Sequence, residues 1–350
     1  MLTKKRNPIE GDLIKDENGI VFDVKGIVHP PQKVVAFPRY IPDLLGDRKS
    51  EEHAYRKIYS LSERVEFLKM NFPDYLVHDP VYDELLCEVP SKAIKNHFKP
   101  VEKLRRLRED KEVRGLDRIA LLLAKLLKEE TGISWSSIGI SGSLLVGIQT
   151  SSSDIDPIIY GSANCRSVNT QLKFMLKDET SLLKPYTQEG LQELFDFRSK
   201  DTLMSFEDFI STESRKAFQG KFLGKDYFIR FVKGLNEVCE SYGDIHYKNS
   251  GYSKIKATIE DDSQSIFTPC TYTIGKVIVI DGPDVYPIQE IASFRGRFCE
   301  QAMKGERVLV QGKIEKVVDS KLGKEYFRIL IGNKPSDYMK LLTTSSDYHF

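Results

Sequence analysis

Two aspartates separated by one residue are the side chains of this 350-residue sequence best suited to phosphate chemistry. Asp154 and Asp156 lie in the segment 153–160, whose apolar pattern predicts a β-strand. Successive side chains of a strand point to opposite faces, so the two carboxylates share one face while Ile155 points into the core. Mg²⁺ prefers carboxylates together with substrate phosphates. The pair therefore predicts a site for Mg²⁺ (or Mn²⁺) beside a bound nucleotide.

A Gly-Ser pair, Gly142 and Ser143, precedes this strand. The pattern predicts a short strand over 135–141 that enters the pair and a brief helix over 144–148 that follows it. A helix N-terminus offers N–H groups and the positive end of its dipole to phosphate, and glycine leaves room for a close approach. Together the parts suit in-line attack on the α-phosphate of an NTP, with two ions roughly 3.5–4 Å apart.

The segment 140–160 resembles the signature of the nucleotidyltransferases related to DNA polymerase beta. An apolar residue, Gly-Ser, a spacer of this length and Asp-x-Asp in an apolar strand are all present. By that resemblance Gly142 and Ser143 bind the nucleotide phosphates, and Asp154 and Asp156 ligate the metals. Outside this segment the chain resembles, more weakly, an archaeal group of such proteins with flanking domains at both ends.

The resemblance implies a third carboxylate on a neighbouring strand, and two residues are candidates. Asp226 opens the apolar run 227–232, although it also fits a turn acid in Gly-Lys-Asp. Glu260 is the second candidate and also fits a solvated acidic turn. Arg230 shares a strand face with Asp226 and is a candidate phosphate ligand or a surface arginine. Pro157 stands where the family has an aliphatic residue, and it predicts a strand that is distorted or lies at an edge.

The elements that position these residues predict a multidomain α+β protein, since 350 residues exceed the usual size of one domain. Residues 1–90 form a β-rich and helical segment, and 91–115 a basic helical linker. The nucleotidyltransferase core, a mixed sheet with helices, covers 116–240. Strand-like runs with Gly punctuation over 250–335 predict an all-β, barrel-like (OB-like) module.

Two local features make RNA the preferred acceptor. The segment 92–128 holds twelve Lys or Arg against five Asp or Glu, a local charge of +7, which suits a phosphate backbone or simply a solvated helix face. The C-terminal module interleaves aromatics with cations, at 294–298 and 313–328, which suits base stacking or a barrel core. We therefore expect transfer of a nucleoside monophosphate from an NTP to a hydroxyl, preferably of RNA. A protein or small-molecule hydroxyl is the alternative acceptor, and a non-catalytic nucleotide- or RNA-binding module is the alternative to an enzyme.

Composition excludes several other classes. Hydrophobic residues make up 40% and charged residues 29%, and the formal net charge is +1, so no partner follows from global charge. No apolar stretch is long enough to span a bilayer and no secretory signal is visible, which predicts a cytoplasmic protein without a membrane partner. The five cysteines include no C-x-x-C, which argues against structural zinc and disulfides. Walker A, zincin and hydrolase-elbow patterns are absent.

Overall fold

The computed structural model describes residues 6–50, 53–200 and 202–342. Within these residues the chain is a mixed α+β protein with seven α-helices and four sheets. It divides into two compact units. The first comprises the described residues up to Val77, with Leu85–Lys184 and Phe218–Tyr242, and the second comprises His78–Glu84, Pro185–Ala217 and the described residues from Gly243. The N-terminal segment thus shares a unit with most of the predicted core, whereas 185–217 belong to the second unit.

The N-terminal part of the first unit is an antiparallel sheet with one helix, α1 (Leu61–Asn71). Ser60 caps this helix by accepting a hydrogen bond from the Glu63 N–H at 3.1 Å, as the sequence predicts. The strands are β1 (Leu13–Asp16), β2 (Val21–Val24), β3 (Lys33–Pro42), β4 (Arg48–Lys49), β5 (Ala54–Lys57), β6 (Leu76–Asp79), β7 (Glu84–Pro90) and β8 (Ile94–Phe98). Their main order is β4-β5-β3-β2-β1-β8, and β7 pairs with β3 and β6.

The rest of the first unit surrounds a three-stranded sheet. Its helices are α2 (Pro100–Glu109), α3 (Gly115–Thr131), α4 (Gly142–Val146) and α5 (Ser162–Met175). Its strands are β9 (Ile138–Ile140), β10 (Pro157–Tyr160), β11 (Leu183–Lys184), β12 (Gln219–Phe222), β13 (Lys225–Phe228) and β14 (Arg230–Val232). β10 lies in the middle of the order β14-β10-β9, antiparallel to β9 and parallel to β14. Strands β11, β12 and β13 form a second small sheet.

Two details of this sheet differ from the sequence-based expectation. Pro157 lies on the central strand of the sheet and not on an edge strand. The sheet accommodates it because Pro157 is the first residue of β10, where its missing N–H falls at the start of the regular pairing. The expected linker 91–115 contains α2, which packs directly on β9. A Cβ added to Gly139 of β9 would stand 2.4 Å from the Cβ of Pro100. Only glycine permits that approach between helix and strand.

The second unit is built on a curled six-stranded sheet with two helices. The helices are α6 (Gln188–Arg198) and α7 (Phe206–Glu213), and the strands are β15 (Ile245–Asp261), β16 (Cys270–Asp281), β17 (Ile288–Ser293), β18 (Arg307–Asp319), β19 (Lys324–Leu330) and β20 (Tyr338–Leu341). The order is β15-β16-β17-β19-β18-β20, and β15 also pairs with β18. The hydrogen-bond path therefore returns to its first strand, and only the β17–β19 pair is parallel.

Among the helices that the structure describes, none combines the length and apolar character needed to cross a membrane.

Candidate functional site

The two aspartates of the candidate site lie just before β10 and are held by pairing of Ile155 with residues 226–228. The Ile155 N–H donates to the Asp226 carbonyl at 2.9 Å, and the Phe228 N–H donates to the Ile155 carbonyl at 2.9 Å. Ile155 is fully buried. Because the intervening side chain is fixed in the core, Asp154 and Asp156 project to the opposite face, where both are half-buried. The alternation predicted from the sequence is therefore present.

Gly142 lies directly against the carboxylate of Asp156. The Ser141 N–H donates to the Asp156 carbonyl at 2.8 Å, which brings the start of α4 beside the aspartate. A Cβ added to Gly142 would stand 1.9 Å from Asp156 Oδ2, and the Gly142 φ is +64°. Ser143 is buried, and its hydroxyl donates to no residue that the structure describes. The Gly-Ser pair and the aspartates are thus brought together as the resemblance implies.

Replacing Gly142 by alanine is expected to displace the Asp156 carboxylate and to abolish function at this site. Gly147 ends α4 with a φ of +71° and has open space around its added Cβ, so Gly147→Ala is a matched control. Both variants carry the backbone strain of about 1 kcal/mol for a non-glycine residue in the left-handed region. We expect Gly142→Ala alone to lose Mg²⁺-dependent nucleotide binding, measured by calorimetry. Equal binding by the two variants would contradict the contact.

Three cations lie near the two aspartates and affect the ionisation of Asp156. Burial, followed by the charge of Asp154, raises the pKa of Asp156 to about 7. The charges of Lys57, Arg39 and Arg230 oppose this rise. A carboxyl group that has a pKa near 7 and lies beside a second carboxylate can exchange its proton for a metal ion near neutral pH.

Arg39 and Lys57 come from the N-terminal sheet and were not predicted as site residues. Arg39 lies near the end of β3 and Lys57 ends β5, and the two strands pair so that Tyr40 faces Lys57. Their only sequence signal is a basic residue at the end of a strand-like segment, which is too common to identify a site. The N-terminal segment therefore contributes to the site and is more than a flanking domain.

Arg230, predicted as a phosphate ligand, forms an ion pair with the N-terminal sheet. Its guanidinium lies 2.7 Å from Glu10 Oε1 and 3.5 Å from Asp23 Oδ1, and the Glu10 side chain is fully buried. Burial alone would lower the pKa of Arg230, but the charges of Asp23 and Glu10 raise it. Lys25 completes the group, 2.7 Å from Asp23. Arg230 thus links β14 to β2 and to the segment that precedes β1, and its charge acts on Asp156.

Replacing Arg230 by methionine is expected to destabilise the protein by about 3 kcal/mol, because the buried Glu10 carboxylate then keeps the Gly26 N–H at 2.7 Å but, among the described cations, only Lys25 at 4.0 Å. Arg56→Met is the matched control, since Arg56 pairs with Asp43 and Glu63 on the surface and such pairs contribute about 0–1 kcal/mol. Urea unfolding measures both changes. Equal midpoints for the two variants would show that the buried ion pair adds nothing.

Asp226 lies on the strand beside the two aspartates. The bridge between Ile155 and Tyr227 is parallel, so Asp226 is the register neighbour of Asp154 and faces the same side. Its side chain is 46% exposed and pairs with Lys221 at 2.9 Å. Glu260, the other candidate, belongs to β15 of the second unit. Of the two candidates, Asp226 is thus the one in register with the aspartates, and it does not form a metal-holding group of three with them among the described residues.

Arg48 holds the loop that leads into the aspartates. Its guanidinium donates to the Ile148 carbonyl at 3.3 Å and to the Ser153 hydroxyl at 3.2 Å, and both groups are buried. Ser153 Oγ also accepts the Thr150 N–H at 3.0 Å. The hairpin β4–β5 therefore positions the loop immediately before Asp154, so Arg48 is a positioning residue of this site.

The donor set suits a metal that takes its remaining ligands from substrate and water. Among residues 6–50, 53–200 and 202–342, no group of three or more His, Cys, Asp or Glu is arranged to hold a metal ion. Asp154 and Asp156 nevertheless supply two hard oxygen ligands whose mutual repulsion a cation would relieve. Mg²⁺ is commonly held by one or two carboxylates plus phosphates and water. The residues present therefore fit Mg²⁺ or Mn²⁺ bound together with a nucleotide.

Several of the basic residues predicted to bind RNA are paired with acids. In α2, Lys103 pairs with Asp117 at 2.8 Å and Arg105 with Glu109 at 3.0 Å. In the C-terminal sheet the pairs are Lys313 with Glu84, Lys316 with Glu325 and Arg328 with Glu315, and Phe298 is buried. A solvated helix face, the alternative for 92–128, thus agrees with the paired cations of α2. An aromatic barrel core, the alternative for the C-terminal module, agrees with the buried Phe298.

The chain is similar over nearly its full length to a protein of Methanocaldococcus jannaschii. The two are 30% identical over 341 residues, which cover 94% of this chain and 98% of the relative, and that relative is named "Uncharacterized protein MJ1086". The chain belongs to the same family as this archaeal protein. No family model matches the sequence. No solved structure matches it either.

Proposed function

We propose that this protein is a metal-dependent nucleotidyltransferase of the DNA polymerase beta-like class. It moves a nucleoside monophosphate from an NTP to a hydroxyl and releases pyrophosphate. The observation that carries the proposal is the close packing of Gly142 on the Asp156 carboxylate, with Asp154 on the same side of the bridged segment before β10. Through this contact, Gly142 of the Gly-Ser pair lies against Asp156 of the Asp-x-Asp pair. If the two motifs occurred in the sequence by chance, they would not need to be close in the fold.

Each residue has a role in the proposed reaction. Asp154 and Asp156 hold the metal, and bound Mg²⁺ supplies charge that stabilises the phosphoryl oxygens as they become more negative. Gly142, whose missing side chain leaves room for the Asp156 carboxylate, offers its N–H to the phosphates, and Ser143 offers its hydroxyl and N–H to them. Asp226, the register neighbour of Asp154, accepts the proton of the attacking hydroxyl. Arg230 is a further phosphate ligand if its ion pairs yield to the nucleotide.

RNA is the proposed acceptor, and the curled sheet of the second unit supports it. Five strands in the hydrogen-bond order β15-β16-β17-β19-β18, with a return to β15, follow the connectivity of an OB-like barrel. Such barrels commonly bind single-stranded nucleic acid through stacking and positive charge. A protein or small-molecule hydroxyl is the second candidate, because many of the predicted RNA-binding cations are already paired with acids.

A label-transfer assay tests the function and identifies the acceptor. The purified protein is incubated with each α-labelled NTP and Mg²⁺ or Mn²⁺, with RNA, protein extract or neither supplied separately. We expect label in RNA, its loss in Asp154→Ala/Asp156→Ala, and a loss of about a hundredfold in Asp226→Asn. Label in protein would replace RNA as the acceptor. Metal-dependent NTP binding without transfer would instead favour a non-catalytic nucleotide-binding module.

A further inference from the structure

Arg39 differs from the other arginines near the site in having no partner. Its guanidinium makes no hydrogen bond, ion pair or ring contact with any residue in the described part of the chain. In the same unit, Arg230 contacts Glu10 at 2.7 Å and Arg48 donates to Ser153 at 3.2 Å. The charges of nearby acidic groups keep this half-buried guanidinium ionised, but its N–H groups have no hydrogen-bond acceptor among the described residues.

Lys57 lies beside Arg39 and is almost as isolated. The Ile58 N–H donates to the Arg39 carbonyl at 3.0 Å, which joins the two strand ends. The described contact of the Lys57 ammonium is with the ring of Tyr59, 4.7 Å from its centroid. Burial and the charge of Arg39 lower the pKa of Lys57 to about 8. Two adjacent cations that repel one another are stabilised by a shared anion.

The carboxylates of the site do not supply that anion directly. The charges of Asp23, Asp156 and Asp154 all act on Arg39, yet none forms an ion pair with it. Once a divalent cation binds the two aspartates, their negative charge is offset. The positive charges of Arg39 and Lys57 are then no longer balanced by these carboxylates. A ligand with several negative charges, placed between the cations and the metal, satisfies both.

We infer that Arg39 and Lys57 bind the β- and γ-phosphates of the NTP whose α-phosphate lies at Asp154 and Asp156. The inference rests on the proposed function and adds a polyphosphate subsite contributed by the N-terminal sheet. Arg39 offers a planar fork of donors to phosphate oxygens, and Lys57 a compact charge. The subsite is expected to favour triphosphates over monophosphates, since the β- and γ-phosphates supply the additional negative charge that Arg39 and Lys57 bind.

Calorimetry with inorganic tripolyphosphate, without divalent metal, tests the subsite independently of transfer. We expect Arg39→Gln and Lys57→Gln each to weaken tripolyphosphate binding by about tenfold or more, as expected for loss of a charged hydrogen bond. AMP, which lacks the β- and γ-phosphates, should lose less affinity than tripolyphosphate in both variants. Arg56→Gln, on the same strand as Lys57 but paired at the surface, is the matched control and should bind like the wild type.

One further variant and a melting measurement separate loss of charge from loss of fold. Arg39→Lys keeps the charge and should retain binding within a few-fold, and thermal melting checks that each variant is folded. Wild-type tripolyphosphate affinity in both glutamine variants would overturn the subsite, even if Mg²⁺-dependent NTP binding at Asp154 and Asp156 persists. The reverse result, tripolyphosphate binding that needs Arg39 and Lys57 without any metal-dependent NTP binding, would retain the subsite and overturn the proposed transferase. Absence of both kinds of binding would overturn both.

Discussion

Replacing either Asp154 or Asp156 by asparagine is expected to lower nucleotidyl transfer about a thousandfold or more and, at the same time, to stabilise the metal-free protein. Losing one of two metal-binding carboxylates removes several kcal/mol of transition-state stabilisation, and a thousandfold corresponds to about 4 kcal/mol. The opposite effect on stability arises because the two carboxylates repel each other. The repulsion between the two carboxylates therefore lowers the free energy of unfolding of the metal-free protein, while both carboxylates are needed for transfer.

The size of the stabilisation follows from the ionisation of Asp156. Burial and Asp154 raise its pKa from 3.8 to about 7, so its ionised form disfavours folding at pH 8. Asparagine does not ionise, and the gain from Asp156→Asn is on the order of 2 kcal/mol, which corresponds to several degrees in melting temperature. We expect added Mg²⁺ to raise the melting temperature of the wild type and to leave that of the variant unchanged.

Asp178→Asn controls for the removal of a carboxylate as such. Asp178 is exposed in the same unit and accepts hydrogen bonds from Thr180 at 2.7 and 2.8 Å. This variant should transfer label like the wild type and respond to Mg²⁺ normally. Full transfer activity in Asp154→Asn or Asp156→Asn would show that the substituted aspartate is not required for catalysis.

Metal binding should weaken about tenfold for each pH unit below 7, because Mg²⁺ must then displace a proton from Asp156. The groups that face Asp156 are Asp154, Lys57, Arg39 and Arg230. Lys57, whose pKa is about 8, loses its charge as the pH rises further. Binding of Mg²⁺ and NTP together is therefore expected to be strongest between about pH 7 and 8.

Stability without metal should have the opposite pH dependence in the acid range. The folded pKa of Asp156, about 7, lies above its ordinary value of 3.8, so its contribution to stability is fully present below 3.8 and is lost as the pH rises through 7. Melting in EDTA should show this loss in the wild type and not in Asp156→Asn, and Mg²⁺ titrations from about pH 5.5 to 8.5 complete the test. Mg²⁺ affinity that is constant across this range would contradict the raised pKa.

Local patterns in the sequence predict the local part of this structure. The capping residue Ser60 fixes the start of α1, and Gly132, with a φ of +70°, ends α3 where the apolar periodicity stops. The alternation around Ile155 places two aspartates on one face. Each of these features depends on residues that are neighbours in the chain, so sequence periodicity and capping chemistry are sufficient to predict them.

The walls of the site depend on pairings between distant segments. Ile158 pairs with Arg230 in parallel, and Ser141 Oγ donates to the Gly11 carbonyl at 2.7 Å, 130 residues away. An added Cβ at Gly11 would stand 2.2 Å from Ile158 Cδ1, so the N-terminal sheet packs closely on β10. No local pattern specifies which strand edge a remote segment will meet. Arg39 and Lys57 could therefore not be assigned to the site before the fold was known.

The central claim is tested most directly by comparing α-labelled with γ-labelled ATP in one reaction. The wild type and Asp156→Asn are each incubated with Mg²⁺ and the acceptor mixture, and the label is followed in the acceptor and in released pyrophosphate. The account predicts that the α-label enters the acceptor, the γ-label appears in pyrophosphate, and both signals disappear in Asp156→Asn. Transfer of the γ-label to the acceptor, or α-label transfer that persists in the variant, would contradict it.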